Sequence, residues 1–388
     1  MAENHTKLKK PRNTGIDLLR IVAMFFVVVL HCLGRGGVLN AAQPDSAAYR
    51  GAWLMEICAY GAVDIFALIS GYVAFTGKEK RTCYANYIQL WIQVLFYGIL
   101  VTVLFQITGK APVTRHDYGM VLLPVTNGLY WYFTAYTGLF LIMPLLNKAI
   151  LNCSVKTLKL AGMVIVAAFS FFDTVAGRFM LASGYSFVWV TLLYILGAIL
   201  KKCEIGKKWK VYQIAIGILA LYAITFLYKL YGPEFTKLSV TVTRDCLISY
   251  TSPTVLGAAI LYVIAFSKLR FHSVSKKIIG FAAPGSFAIY LLNNHRLVWE
   301  YVMKERFAFL AERGMAVIFF CVIGFALAFV MVSILVDQVR ILLFKLCNIK
   351  GLATWIENSI RWLGDRILCS GDCKTEGNSV CETSRKAD

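Results

Sequence analysis

The stretch that decides the fold is residues 15–37, which read GIDLLRIVAMFFVVVLHCLGRGG. Its apolar part is long enough to cross a hydrocarbon core of about 30 Å at about 1.5 Å per helical residue. Arg20 lies inside the run and no clean small-residue cleavage site follows it, which is not the pattern of a cleaved signal peptide. We therefore expect a first membrane-spanning helix here.

Composition extends this expectation to the whole chain. Of 388 residues, 59% are hydrophobic and 16% are charged, and the mean hydropathy is +0.65. Soluble proteins average about 45–50% apolar and about 25% charged residues. The chain is too apolar to keep a polar surface in water, and its 11 Cys are too dilute for a disulfide scaffold. A disordered protein, a collagen and a small secreted domain are excluded.

Ten apolar runs predict an all-α polytopic membrane protein with about ten transmembrane helices. We place them at 15–34, 53–76, 86–108, 129–150, 157–172, 185–200, 211–230, 246–267, 279–302 and 314–337. The loops on the side of the N-terminus carry more Lys and Arg than the opposite loops, which is typical of cytoplasmic loops. Both termini are therefore expected in the cytoplasm, and the protein in the cell (plasma) membrane. The net charge of +19 is scattered over short loops, so it does not indicate a nucleic-acid partner.

The chain divides into four predicted segments. Residues 1–14 are a cytoplasmic basic segment, and residues 15–340 form the membrane domain. Residues 341–366 mix Trp355 and Trp362 with basic residues, as an amphipathic helix at the inner headgroup layer does. Residues 367–388 are polar and predict a disordered cytoplasmic tail, whose cysteines lack the spacing of a zinc site, so no metal is expected.

Charged side chains inside the spans are the candidates for chemistry, because each costs at least about 2.5–3.5 kcal/mol at the membrane centre. Eleven helical residues turn within about 20° of three whole turns, so Arg20 and His31 share one stripe about 16 Å long. Asp17 lies one turn before Arg20. Glu56 and Asp64 are in the second span, and either carboxylate could orient His31 and raise its basicity.

Each of these residues also has a purely structural interpretation. Arg20 could extend to the inner headgroups, and Asp17 could complement the dipole at a helix N-terminus. His31 could be satisfied by a neighbouring carbonyl or hydroxyl. A buried carboxylate could simply pair with Arg20.

Four segments resemble the membrane-bound acyltransferase 3 family, which includes polysaccharide and cell-envelope O-acetyltransferases. The first span resembles its opening signature, in which an Arg is followed after ten residues by a His. Residues 63–75, VDIFALISGYVAF, are similar to its second signature, and two later blocks resemble residues 128–150, GLYWYFTAYTGLFLIMPLLNKAI, and 286–301, SFAIYLLNNHRLVWEY. In the last block Asn293 stands where the family reads His, and His295 follows two positions later, so no role is carried over to either.

The resemblance implies transfer of an acyl group, usually acetyl, from cytoplasmic acyl-CoA to a hydroxyl of an envelope sugar, polysaccharide or lipid-linked glycan. Such transfer needs a base for the acceptor hydroxyl and positive groups where charge develops on the carbonyl oxygen. His31 is either that base or a short-lived carrier of the acetyl group. Arg20 holds a phosphate of acetyl-CoA or polarises the thioester. Asp64 is the third catalytic candidate.

Candidate substrate-binding residues are Asp17, Glu56, Ser70, Tyr72, Trp131 and Tyr132. For Ser70, which precedes Gly71, the alternative is close helix packing, and for the two aromatic residues at the start of the fourth span it is an interfacial belt. Lys80 and Arg81 are candidate cofactor-binding residues for acetyl-CoA, although their loop lacks the Arg-x-x-Arg pair of some members. A homodimer is left open.

The competing interpretation is a proton-coupled secondary transporter or a glycan flippase. Ten spans are equally natural there, and Asp64, Glu56 and His31 would form a proton relay. A sensing or binding membrane protein without turnover is a third class. Release of coenzyme A by the purified protein separates these classes, because a transporter releases none.

Overall fold

A computed structural model describes residues 12–79, 82–177, 179–237 and 240–372 of the chain. Its α-helices are α1 (Thr14–Leu33), α2 (Val38–Ala41), α3 (Ala47–Ala59), α4 (Ala62–Ala74), α5 (Tyr84–Thr108), α6 (Arg115–Leu122), α7 (Trp131–Asn152), α8 (Val155–Val164), α9 (Asp173–Ala176), α10 (Phe187–Lys202), α11 (Val211–Tyr231), α12 (Pro253–Lys268), α13 (Ser273–Ala282), α14 (Ser286–Asn293), α15 (Arg296–Val298), α16 (Met315–Leu346) and α17 (Ile349–Asp372). Two short strands, β1 (Phe235–Lys237) and β2 (Val240–Val242), pair antiparallel. Shorter π-helical segments lie at Ile165–Phe172 and Trp299–Met303, and 3-10 turns at Ala182–Gly184, Ala283–Gly285 and Ala308–Glu312.

Seven helical segments of these described residues are long and apolar enough to cross a membrane. They are Thr14–Ala41, Ala47–Ala74, Tyr84–Thr108, Trp131–Asn152, Val155–Ala176, Val211–Tyr231 and Met315–Leu346. The predicted all-α membrane fold is thereby confirmed. The remaining predicted spans coincide with α10, α12 and the α13–α14 pair, which are shorter or broken, so the count of ten and the side of the termini stay predictions.

Helix α1 is the central helix of the bundle. Its N-terminus is fixed by Asn13, whose Oδ1 accepts from the backbone N–H groups of Gly15 at 3.0 Å and Ile16 at 3.3 Å. Along its length α1 packs against α3, α4, α12, α14 and α16. Leu19 and Val28 are fully buried, so the polar residues of this helix must find partners inside the bundle.

Two predicted spans are interrupted in the middle. The second span, predicted as continuous over 53–76, consists of α3 and α4 with a break at Tyr60 and Gly61. The ninth, predicted as continuous over 279–302, breaks at Pro284, which cannot donate a helical hydrogen bond, and again after Asn293. The last of these breaks lies between Asn293 and His295, two polar residues that are both buried.

The eighth span begins later than predicted. Helix α12 begins at Pro253 and not at residue 246, because Ser252 caps it and its Oγ accepts from the N–H of Val255 at 3.2 Å. Proline is well suited to this first helical position, because a backbone N–H there would have no hydrogen-bond partner within the helix. Residues 246–252 are turns that lead into the helix.

Glycines bring α4 and α10 into backbone contact. A Cβ added at Gly71 would lie 1.8 Å from the carbonyl oxygen of Tyr194, and one added at Gly197 would lie 2.0 Å from that of Leu68. Only glycine fits at such crossings. The close packing considered as the alternative for Ser70 is therefore present at its neighbour Gly71.

Loops predicted to be cytoplasmic are joined at one end of the bundle. The Lys202 ammonium donates to the carbonyls of Ile150, Leu151 and Cys153 at 2.6–2.9 Å, and Lys268 donates to those of Lys207 and Trp209. Cations are favourable beside the exposed carbonyls that end helices. Asn13 joins the same end through the carbonyl of Ser267 at 3.0 Å.

Helix α17 lies against the start of α5. Its Glu357 accepts from the backbone N–H of Ala85 at 2.8 Å, and Arg361 donates to the carbonyl of Thr82 at 2.6 Å. Trp355 and Trp362 are exposed on this helix. The predicted boundary at 340/341 falls inside α16, and α17 extends into the segment predicted as a tail from residue 367. Residues 1–11 and 373–388, which hold most of the predicted terminal segments, lie outside the described residues.

Candidate active site

A cavity of about 550 Å³ opens in the half of the bundle opposite Asn13, among α1, α3, α4, α7, α14 and the loops beside them. Its lining residues are Met24, Val27, Leu30, His31, Gly34, Arg35, Glu56, Tyr60, Val63, Phe66, Met120, Gly128, Leu129, Tyr130, Trp131, Tyr132, Tyr185, Tyr250, Phe287, Tyr290, Asn294, Arg296 and Trp299. Small-molecule sites typically occupy about 300–1,000 Å³ and combine an apolar lining with a few polar groups. This cavity fits that description.

His31 is the imidazole in the cavity wall. Its Nδ1 forms a hydrogen bond with Oδ1 of Asn293, and its ring meets the ring of Trp299 edge-on with centroids 4.6 Å apart. An amide oxygen only accepts, so in this arrangement Nδ1 carries the proton and Nε2 keeps its lone pair. A neutral imidazole with a free Nε2 lone pair can accept a proton or attack a carbonyl carbon.

The partner of His31 is therefore an amide and not the carboxylate that we predicted. Asn293 is fully buried at the last position of α14, where the helix ends before the turn at Asn294. His295 is also buried, but it caps α15 by accepting from the N–H of Leu297 at 3.3 Å. In the sequence, Asn293 stands out only because it occupies the position of a family His in the last block. That position does not show which residue its side chain contacts.

Charged residues at the rim of the cavity are paired. Arg35 reaches Oε1 of Glu300 at 2.6 Å and lies over the ring of Trp299, with its guanidinium carbon 5.6 Å from the ring centroid. Arg296 holds Asp117 of α6 at 2.8 Å. Burial alone would raise the pKa of Asp117, but hydrogen bonds from Thr114 and the charge of Arg296 outweigh burial and lower it below its usual value. The rim thus carries cations whose charge is largely balanced.

Glu56 and Asp64 occupy different surroundings. Glu56 lines the cavity, is 8% exposed, and has no hydrogen-bond partner for Oε2 among the described residues. Asp64 is fully buried outside the cavity lining, where Oδ1 accepts from Trp189 Nε1 at 3.1 Å. Of the two predicted carboxylates, only Glu56 is placed where a ligand in the cavity can reach it.

Among the described residues that line this cavity, Arg20 is not included. Its guanidinium pairs with Asp17 at 2.9 Å, and Asp17 also holds Arg12 at 2.5 Å. Eleven residues of helix separate Arg20 from His31 by about 16 Å. The predicted stripe is present as a helix face, but only its His31 end lines this cavity.

The remaining predicted residues are divided between the two ends of the bundle. Trp131 and Tyr132 line the cavity. Ser70 donates to the carbonyl of its own helix at Phe66, 3.1 Å away, and Tyr72 faces the Lys201 ammonium, which lies 5.2 Å from its ring centroid. Lys80 and Arg81 lie outside the described residues.

A second hollow, of about 450 Å³, lies at the opposite end of the bundle, beside the end of α4. Lys78 and Thr82 of the loop between α4 and α5 form one side, and Asn147 and Lys148 of α7 form the other. Glu79 also lines the hollow and offsets one of its two lysines, so a small excess of positive charge remains, which suits a phosphate-bearing ligand. Among the described residues, no group of three or more His, Cys, Asp or Glu is arranged to hold a metal ion.

Comparison with known proteins identifies the family. The acyltransferase 3 family model, described as an acyltransferase domain, matches residues 13–335. There is no match among curated proteins and none among solved structures. The matched range contains α1 through most of α16, and with them the whole cavity. The chain therefore belongs to the acyltransferase 3 family and is a membrane acyltransferase.

Proposed function

We propose that the protein is an O-acetyltransferase that moves an acetyl group from cytoplasmic acetyl-CoA to a hydroxyl of a cell-envelope glycan or lipid-linked sugar. The observation that carries the proposal is His31, which lines the cavity with Nδ1 engaged by Asn293 and Nε2 left as the base. The family supplies the acyl transfer. The acetyl donor, the glycan acceptor and the plasma-membrane location belong to the proposal.

In this reaction the acceptor hydroxyl attacks the thioester carbonyl carbon while Nε2 of His31 takes its proton. The tetrahedral intermediate then collapses, the C–S bond breaks, and the imidazolium returns the proton to the departing thiolate. The alternative keeps the same residue as a nucleophile that carries the acetyl group between two steps. Both routes need the Nε2 lone pair, which the hydrogen bond to Asn293 preserves.

The donor is proposed to enter from the opposite end of the bundle. Lys78 and Lys148 border the second hollow, and Arg20 lies between that end and His31 on α1. Since about 16 Å of helix separates Arg20 from His31, we assign Arg20 to the phosphates or the pantetheine arm and not to the reacting carbonyl. The pantetheine arm would then extend along α1 towards the imidazole.

Mass analysis of surface glycans tests the function directly. Cells with the gene should carry one acetyl group per modified sugar, and cells without it should lose that mass from one glycan. Purified protein should release coenzyme A from acetyl-CoA when the isolated glycan is added. Unchanged glycan masses together with no coenzyme A release would reject the acetyltransferase and favour the proton-coupled transporter, in which Asp64, Glu56 and His31 would relay protons.

A further inference from the structure

Four aromatic residues form one continuous wall of the cavity, and we name Tyr60, Trp131, Tyr185 and Tyr250 the aromatic wall. Ring centroids are 4.8 Å apart for Trp131 and Tyr185, 5.0 Å for Tyr185 and Tyr250, and 5.0 Å for Tyr60 and Tyr250. The rings come from the end of α3, the start of α7 and the loops before α10 and α12. Elements far apart in sequence thus contribute to one apolar surface.

Glu56 lies on α3 one turn before Tyr60, so both residues face the same side of that helix. Its carboxyl group is buried beside the wall, and Oε2 has no partner within the described chain. A buried carboxyl oxygen without a hydrogen bond is costly, and hydroxyl donors of a bound ligand would remove that cost. The unpartnered oxygen therefore points to a ligand that presents a hydrogen-bond donor, such as a hydroxyl group, beside the wall.

We propose that the aromatic wall and Glu56 form the acceptor subsite and bind one neutral pyranose ring. The C–H groups on one face of the ring pack on the aromatic faces, whose π-electrons attract them, and ring hydroxyls donate to Glu56. This inference rests on the proposed function, because it names the sugar that His31 deprotonates. Positive charge in the cavity lining sits at the rim, on Arg35 and Arg296, and both are paired with carboxylates, so the subsite favours an uncharged sugar over an anionic one.

The other ligand that suits a carboxylate beside aromatic rings is an ammonium group, as in an amino sugar. The two ligands predict different effects of Glu56→Gln. A glutamine oxygen still accepts from a hydroxyl, so a neutral pyranose is retained. An ammonium ligand loses its counter-charge and most of its affinity.

The test uses the full-length protein in membranes that contain the native acceptor, with radiolabelled acetyl-CoA as donor. Tyr185→Leu and Glu56→Ala should raise the acceptor KM about tenfold, whereas Tyr185→Phe and Glu56→Gln should stay within about threefold of the wild type. Thermal stabilisation of each purified variant by acetyl-CoA should equal that of the wild type, which shows that the variants are folded and bind donor. Tyr301→Ala is the matched control, because this exposed tyrosine does not line the cavity.

Mass analysis of the acetylated product completes the test, and a neutral hexose carrying an O-acetyl group is the expected result. Wild-type acceptor KM in both Tyr185→Leu and Glu56→Ala would overturn the subsite while leaving the acetyltransferase intact. So would a product acetylated on an amino or anionic sugar, or a large KM increase in Glu56→Gln. If the wild type itself transfers no acetyl group, the proposed function fails, and the subsite fails with it.

Discussion

Asn293 holds His31 across the contact between α14 and α1, although 262 residues separate them in the chain. Because the amide oxygen accepts from Nδ1, the contact fixes both the tautomer and the orientation of the imidazole. Asn293 is the last residue of α14 and is fully buried, so its amide meets the imidazole inside the bundle.

Two replacements of Asn293 test whether it orients the imidazole of His31. Asn293→Asp keeps an acceptor for Nδ1 and should retain most of the transfer rate, whereas Asn293→Leu removes the acceptor and should lower kcat about 10- to 100-fold. Acetyl transfer measured at matched expression gives both values. Equal rates in the two variants would contradict a role for Asn293 as the positioning residue of His31.

The position of Arg20 predicts an effect on the KM for the donor and not on the KM for the acceptor. Arg20→Ala should raise the KM for acetyl-CoA about tenfold or more, since a charge-assisted hydrogen bond to phosphate is worth about 1.5–3 kcal/mol. The KM for the acceptor should change little, because Arg20 is not part of the cavity lining. Each KM is measured by varying one substrate while the other is saturating. A change in the acceptor KM alone would refute the assignment of Arg20 to the donor.

The contact between α4 and α10 predicts a stability effect at glycine. Gly71→Ala forces a Cβ into the space held by the carbonyl of Tyr194 and should destabilise the protein by at least about 1–3 kcal/mol. Gly324→Ala in α16 is the control, because a Cβ there meets nothing within 4 Å. Thermal unfolding in detergent should show a lowered Tm for the first variant only. Equal Tm values would mean that this packing is looser than described.

The contacts of Glu357 and Arg361 on α17 with the start of α5 predict a pH effect on stability. Burial works against the charge of Glu357, but hydrogen bonds from Ala85 and Arg361 dominate and lower its pKa below the usual value. A lowered pKa in the folded state means that the stabilisation is complete above the unfolded pKa of about 4.3 and is lost as the pH falls through the folded value. Glu357→Gln should therefore lower Tm at pH 7 and abolish this acid-dependent component. If Glu357→Gln kept the wild-type dependence of Tm on pH, a stabilising role for these contacts would be excluded.

The membrane fold and the importance of α1 follow from sequence because bilayer physics acts locally. A long apolar run must become a helix in lipid, and a titratable His inside such a run is a candidate for function. Gly71 indicated close helix packing in the same way, but not that its neighbour would be Tyr194 of α10.

The residues around His31 come from segments that are far apart in the chain. Their contacts with His31 could not be predicted from the sequence alone. Glu56 and Asp64 were the candidates to orient His31, because a charged residue inside a span is costly and therefore stands out in the sequence. The structure instead uses the uncharged Asn293, which lies beside a helix break that a hydropathy pattern does not show. The rings of Tyr185 and Tyr250 come from loops, where no periodicity marks them as cavity residues.

The most direct test of the account is the acetyl-transfer rate of His31→Ala in purified protein with acetyl-CoA and the native glycan. His116→Ala is the matched control, because His116 is exposed on α6 and does not line the cavity. Loss of a general base should lower the rate about 10²- to 10⁴-fold in the first variant, with acetyl-CoA still stabilising the protein against heat, and leave the control unchanged. A rate for His31→Ala within threefold of the wild type would contradict the assignment of His31 as the catalytic base or acetyl carrier.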